Sequence, residues 1–330
     1  MRKAVAALLL PIALAANGFT CEDLCGFGRL EVGAGLIALR PSTWSLGYAI
    51  EDAGVTSLPQ GTMRTLHPEL EIGLRASIGY GARGGCIDAR VEYTYLHSRD
   101  LNGSRSDGTL WQVLIHPTPF SPLTNIPIPA DIHIRSKFDY DGVDLQLATR
   151  YMRGRCLHLR SYCGAHYVNL DHKLAQDIEG GTPDHFELSQ FWSDRRCSWG
   201  IGPLFGTDFN WRFHRSLGIT GRIDVALVSG VTRWKRVELT EIPSLFIDER
   251  LDVAANHIPH LTPYFRASIG AIYCVYVPWA YQLTVEASYE FRSYLEGLNL
   301  FRFNDERATG SNYCLPFNLD GPVLMVRLVI

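Results

Sequence analysis

From Trp199 to Phe213 the chain alternates with period two. Trp199, Ile201, Pro203, Phe205, Phe209, Trp211 and Phe213 fall on one set, with Thr207 its one polar member. Gly200, Gly202, Leu204, Gly206, Asp208, Asn210, Arg212 and His214 fall on the other, which is small at first and then polar. That period is a strand's, and the internal Gly and Pro would break a helix. The stretch is also long for a strand of a soluble domain. Trp199 and Trp211 lie on the apolar face, roughly 30 Å apart along a barrel axis at about 3.3 Å per residue and a tilt near 40°. This is the spacing of the two aromatic girdles of an outer-membrane barrel. One face is therefore expected to meet lipid and the other a polar lumen.

The same reading predicts nine further strands. Residues 30–39 alternate weakly around a Gly-rich middle. Residues 67–80 set Leu70, Ile72, Leu74, Ala76, Ile78 and Tyr80 against Glu69, Glu71, Gly73, Arg75, Ser77 and Gly79. After a Gly-rich turn, residues 87–95 place Asp88, Arg90, Glu92 and Thr94 inward. Residues 135–151 place Asp144, Gln146, Ala148 and Arg150 inward, but Phe138 and Tyr140 sit out of phase with Val143 and Leu145, which predicts a β-bulge near Asp141-Gly142. Strands follow over 157–174, 217–235, 260–276 and 281–292, and a last one runs to Ile330. Between them, long polar connections (99–133, 175–196, 236–259, 297–320) alternate with short turns. Long outer loops, short periplasmic turns and an even strand count describe an all-β, transmembrane, antiparallel up-and-down barrel of about ten strands.

Composition fits this reading without deciding it. Mean hydropathy is near zero and the net charge is −3, because lipid-facing and lumen-facing residues average out. No excess of basic residues points to nucleic acid. Met1-Arg2-Lys3, the apolar run 4–16 and Ala13-Leu14-Ala15 have the form of a signal peptide, too short to span a bilayer. The expected organisation is a signal peptide over 1–15, a periplasmic segment over 16–28 and the barrel over 29–330, integral to the bacterial outer membrane.

The inward set carries both signs. Arg75, Arg90, Arg150, Arg160, Arg212, Arg222, Arg266, Arg292 and Arg327 stand against Glu92, Asp144, Asp208, Asp224, Glu286 and Glu290, with Glu71 and Asp88 in the same phase. Two readings stay open. The charges line a narrow path for ions or small solutes, or they pair into a plug, since buried charges must be paired. Open aqueous porins have about 16–18 strands, so any pore through ten is expected to be small. On the sixth strand, the glycines of the outer half leave room while Asp208, Asn210 and Arg212 crowd the periplasmic half, which places an expected constriction there.

Several stretches resemble a known family: 138–145 (FDYDGVDL), 199–206 (WGIGPLFG), 92–98 (EYTYLHS) and 301–303 (FRF). They are similar, in order, to the pore-forming, major-outer-membrane-protein-like family first described in Legionella and abundant in Chlamydia-related bacteria. The resemblance implies an integral, porin-like outer-membrane barrel with lipid, small solutes or ions as partners, no cofactor and no enzymatic activity. Ile330 departs from it, because such barrels usually end in an aromatic residue. The resemblance to bacteria with crosslinked envelopes also gives the cysteines an expected role as disulfide candidates, including links to other envelope proteins. Cys21, Cys25, Cys86, Cys156 and Cys274 are expected near the periplasmic end, Cys197 and Cys314 near the outer end, and Cys163 within a strand. The alternatives are pairing within the chain and free thiols.

Three other patterns carry less. Omptin-like proteases share the strand count, and Asp139-Tyr140-Asp141 with Asp131-Ile132-His133 fit the residue types for activating water. Against this, Asp139 and Asp141 belong to the resembling stretch. Residues 79–84 match G-x-G-x-x-G, yet a strand follows where a dinucleotide site needs a helix. Cys21 and Cys25 lack a second ligand pair for a metal. A closed structural or surface-exposed barrel, whose outer loops contact other proteins, remains the alternative to a pore.

Overall fold

A computed structural model describes residues 29–43, 47–52, 61–65, 69–82, 87–98, 101–105, 109–112, 128–153, 156–180, 188–214, 216–242, 247–277, 280–303 and 310–330. The expected signal peptide and periplasmic segment, with Cys21, Cys25 and Cys86, lie outside these residues. Ten strands close into a ring: β1 (Arg29–Thr43), β4 (Glu71–Gly81), β5 (Ile87–His97), β8 (Ile128–Arg153), β9 (Leu157–Gly180), β10 (Leu188–Arg212), β11 (Leu217–Ile242), β12 (Ile247–Val277), β13 (Ala280–Phe303) and β14 (Gly310–Val329). Each pairs antiparallel with its neighbours, and the β14–β1 pairing shuts the ring. Four short strands stand outside it: β2 (Gly47–Asp52), β3 (Gly61–Thr65), β6 (Leu101–Arg105) and β7 (Thr109–Gln112). β6 and β7 pair with the outer end of β8, and β2 joins β3 to β7.

Alternation governs which side each residue takes. Along β4 and β5 every second residue is buried and its neighbour exposed. The exposed set forms an apolar band that includes Leu74, Ile78, Leu147, Ile201, Ile223, Ile269 and Leu324. Aromatic residues bound it on both sides. Tyr93, Tyr95, Tyr167, Trp199 and Tyr289 stand at the outer edge, and Tyr80, Trp211, Phe213 and Tyr273 at the periplasmic edge. The two tryptophans of β10 thus hold the girdle positions their spacing predicts.

Three expectations change. First, β8 has no bulge: it runs in unbroken register against both β5 and β9 through Asp141 and Gly142. Phe138 and Tyr140 therefore share the inward phase of Asp144 and are buried in the lumen. The pattern misled because large apolar residues also fill the barrel.

Second, the predicted outer loops at 175–196, 236–259 and 297–320 are largely sheet. β9 and β10 stay paired up to Gly180 and Leu188, β11 and β12 up to Ile242 and Ile247, and β13 and β14 up to Phe303 and Gly310. From Trp199 to Leu188 the β9–β10 hairpin rises roughly 35 Å along the strand, at about 3.3 Å per residue. A mixed inward face and a polar outward one hid these extensions, since neither face meets lipid.

Third, the glycines of β10 do not leave space. A Cβ at Gly206 would fall 2.6 Å from the Tyr162 ring, and one at Gly200 would fall 2.6 Å from Val228. Neighbouring side chains already fill those places.

Candidate functional site: the filled lumen

The barrel wall between the two aromatic girdles supplies the charged residues, which reach the level of Tyr93, Tyr167 and Tyr289. Arg266 on β12 is fully buried and donates to Asp224 on β11, to Glu92 on β5 at 2.9 Å and to Asp144 on β8 at 2.8 Å. Arg222 donates to both Glu92 oxygens at 3.0 Å and to Asp208 at 2.7 Å. Arg75 clasps Glu290 with two bonds of 2.7 and 2.9 Å, and Arg292 meets the same carboxylate at 2.5 Å. Asp88 accepts from Arg160 at 2.8 Å and Arg150 at 2.5 Å. Glu31 takes Arg90 at 2.8 Å, and Arg327 bridges Glu31 at 3.9 Å to Glu286 at 2.8 Å. Asp208 joins these groups through Arg160 at 3.0 Å and Arg90 at 3.6 Å.

The result is one continuous network in which eight arginines meet eight carboxylates. Its balance of sign leaves every buried charge answered, as a low-dielectric site requires. Fifteen of the seventeen predicted inward charges belong to it: Arg75, Asp88, Arg90, Glu92, Asp144, Arg150, Arg160, Asp208, Arg222, Asp224, Arg266, Glu286, Glu290, Arg292 and Arg327. Glu71 stands outside it, as does Arg212, which makes no ion pair among the described residues and lines a cavity below.

That cavity, about 550 Å³, opens at the periplasmic end and is lined by Arg29, Glu31, Arg150, Asp208, Asn210, Arg212 and Arg327 among others. The constriction expected at Asp208, Asn210 and Arg212 is thus the roomy part of the lumen. Closure lies further out.

There a layer of aromatic side chains caps the ionic network. Tyr140 on β8 and Tyr294 on β13 stand five strands apart in a ring of ten, on opposite walls, and their hydroxyl groups meet at 3.0 Å. Phe138 and Phe317 pack with ring centroids 4.5 Å apart, and Tyr264 lies 4.7 Å from Tyr294. His166 ties the two layers together, with Nδ1 2.5 Å from Asp144 and Nε2 2.9 Å from the Tyr294 hydroxyl. Arg292 donates to the Tyr140 hydroxyl at 2.7 Å. Ile37, Leu39, Leu96, Leu204 and Leu319 complete the apolar layer, each with no exposed surface.

The alternating pattern alone does not single out the aromatic layer, although Tyr264 is in phase with Arg266, and Tyr294 with Glu290 and Arg292. It also misses Glu31, because the alternation in β1 is weak.

Beyond the outer girdle, inside the tall hairpins, the inward face is mixed, with Ile132, Ile134 and Ile178 buried beside polar groups. Asp194 accepts from Arg196 at 2.6 Å and from the Trp234 indole at 3.0 Å, and Trp192 donates to Gln176 at 2.9 Å. His172 sits at this level, five residues past Tyr167, with Nε2 3.2 Å from the Ser136 hydroxyl. Burial, and then the Arg196 charge, hold its pKa down to about 4.

The residues considered for protease chemistry stand elsewhere. Asp131, His133, Asp139 and Asp141 all project from the outward face of β8, alternating with buried Ile132, Ile134 and Tyr140. Asp139 pairs with His97, and Asp141 accepts from Tyr93 at 2.7 Å. They do not converge on a cleft. Among the described cysteines, Cys156, Cys163, Cys197 and Cys274 are free thiols. Cys274 points into the lumen and is 2% exposed, so it is not placed to reach another protein. Cys156 is exposed near the periplasmic turn, and Cys163 is exposed on the outward face of β9. The Cys314 side chain lies outside the described set.

The family model described as "Legionella pneumophila major outer membrane protein precursor" matches residues 25–330. The chain belongs to that family. It is an integral protein of the bacterial outer membrane, as the lipid-facing band and the girdles of the ring require. Among curated proteins, none matches its sequence. Solved structures similar to it include the outer membrane protease OmpT of Escherichia coli, at 10% identity and a TM-score of 0.41, covering 95% of this chain and 98% of that one. A major outer membrane protein of Thermus thermophilus is 12% identical, covers 74% of this chain and 98% of that one, and has a TM-score of 0.28. The Yersinia pestis attachment invasion locus protein Ail is 12% identical over 66% of this chain and 99% of that one, with a TM-score of 0.26.

Proposed function

We propose that this outer-membrane barrel is closed to solutes in its resting form and serves to anchor and display its tall outer hairpins, which contact molecules outside the cell. The observation that carries this reading is the meeting of opposite walls: Tyr140 with Tyr294 at 3.0 Å, and one layer below, Glu92 on β5 with Arg266 on β12 at 2.9 Å. Two stacked layers that bridge a full diameter leave no aqueous path of porin width among the described residues. The charge balance of the network also supports it, because each of its buried charges is answered by an opposite one within the wall.

The second reading, a narrow path for ions or small solutes, draws on the periplasmic cavity, which gives bulk water access to Arg160, Asp208 and Arg222. Recording from the purified, refolded chain in planar bilayers separates the two. The closed barrel is expected to show a flat baseline. Sustained current steps of any size, or liposome swelling with small sugars, would overturn the proposal.

A further inference from the structure

Four adjacent strands bring four cations into one row on the outer wall. Lys137 on β8 lies directly opposite Lys173 on β9, Lys173 opposite Arg195 on β10, and Arg195 opposite Lys235 on β11. All four have the outward phase, since their neighbours Phe138, His172, Arg196 and Trp234 are buried inward. With strands about 4.8 Å apart, the row spans roughly 15 Å. Like charges placed directly opposite one another destabilise a strand pair, so the fold by itself gives no reason for the row. Its internal compensation is partial. Arg195 meets Asp171 at 2.6 Å and Lys235 meets Asp252 at 3.5 Å, while Lys137 and Lys173 have no ion pair among the described residues.

The height of the row identifies what it faces. Arg195 lies four residues beyond Trp199, about 10 Å further along the barrel axis, and Trp199 and Tyr167 mark the edge of the apolar band beneath it. Long basic side chains at that level reach back to the headgroups with their charge. The opposite wall differs: there Arg40 is already paired with Asp320 at 3.0 Å, which also accepts from Tyr289 at 2.5 Å.

We propose that the row formed by Lys137, Lys173, Arg195 and Lys235 binds the phosphorylated headgroup of an anionic lipid in the outer leaflet. Phosphates supply the charge that the two lysines lack, and a lipid presents them at the right depth. A site of this kind holds the barrel against one lipid on one side and works whether or not the lumen conducts.

Native mass spectrometry of the full chain in micelles tests it, with diphosphorylated lipid A as probe and phosphatidylcholine as control. K137E/K173E is expected to weaken lipid A binding by more than about 25-fold, since each basic residue lost costs about fivefold and the glutamates add repulsion. K137R/K173R should keep it, Arg40→Glu on the opposite wall should cost less than about threefold by its effect on net charge, and excess inorganic phosphate should not compete. A change of electrophoretic mobility on heating, equal to that of the parent chain, is the check that each variant is folded. If the double glutamate variant does not fold, K137Q/K173Q replaces it, with an expected loss of about 25-fold. Unchanged affinity in the lysine variants, an equal loss from Arg40→Glu, equal binding of phosphatidylcholine, or displacement by inorganic phosphate would each overturn the proposal.

Discussion

The lumen holds two layers that fill the same cross-section by opposite means. In the inner one, Arg266 and its neighbours are charged groups taken out of water and kept ionised by one another. In the outer one, Phe138, Tyr140, Tyr264, Tyr294 and Phe317 are held by packing and a few hydroxyl bonds. The comparison teaches where each layer is vulnerable. An ionic network contributes less than the sum of its contacts, since each charge first lost its hydration, yet removing one member strands the others. An aromatic layer loses the contacts removed plus the cost of the cavity left behind, and it strands no charge.

Arg266→Ala gives the sharpest test of that difference. It leaves Asp224, Glu92 and Asp144 without their shared cation, and it is expected to cost about 3–5 kcal/mol of stability, measured by urea unfolding in micelles. A loss below about 1 kcal/mol would mean that water or neighbouring arginines take over, and the network would not be a rigid plug.

His172 marks the outer edge of the apolar region, opposite Phe138 in the β8–β9 pairing. Its folded pKa, about 4, lies below the ordinary value of 6.5, so the folded state favours the neutral ring. The stability it contributes is present above about pH 6.5 and is lost as the pH falls through 4, by up to about 3 kcal/mol. His172→Gln should remove that acid dependence. An unchanged pH profile of unfolding would show that the ring is hydrated and titrates normally.

Tyr294→Phe is expected to have the smallest effect. It keeps the ring packing and deletes the hydroxyl that meets Tyr140 and His166, for about 1–2 kcal/mol. If the loss equals that of Arg266→Ala, the two layers form one polar network and the distinction between them fails.

Much of the barrel is legible residue by residue. Trp199 and Trp211 mark both girdles, and the phase of Asp144, Arg222, Arg266 and Glu290 assigns them to the lumen. Phe138 and Tyr140 show the limit. An alternating pattern separates two faces without saying which one points inward: around these two residues the apolar set fills the lumen and the outward set, Lys137, Asp139 and Asp141, is polar, so the reversal read as a bulge. Beyond the membrane the inward face mixes Gln176, Ile178, Gln190 and Trp192, and with polar residues outside as well no clean alternation marked the hairpins as strands.

The sequence by itself determined the membrane band, the strand count within it and the inward charges, because these follow from local alternation and a bilayer of given thickness. Only the tertiary structure decided that the lumen is filled. Tyr140 and Tyr294 are 154 residues apart in the chain, and Glu92 and Arg266 are 174 apart. Their contact depends on ring size and stagger, which the pairing of all ten strands sets together.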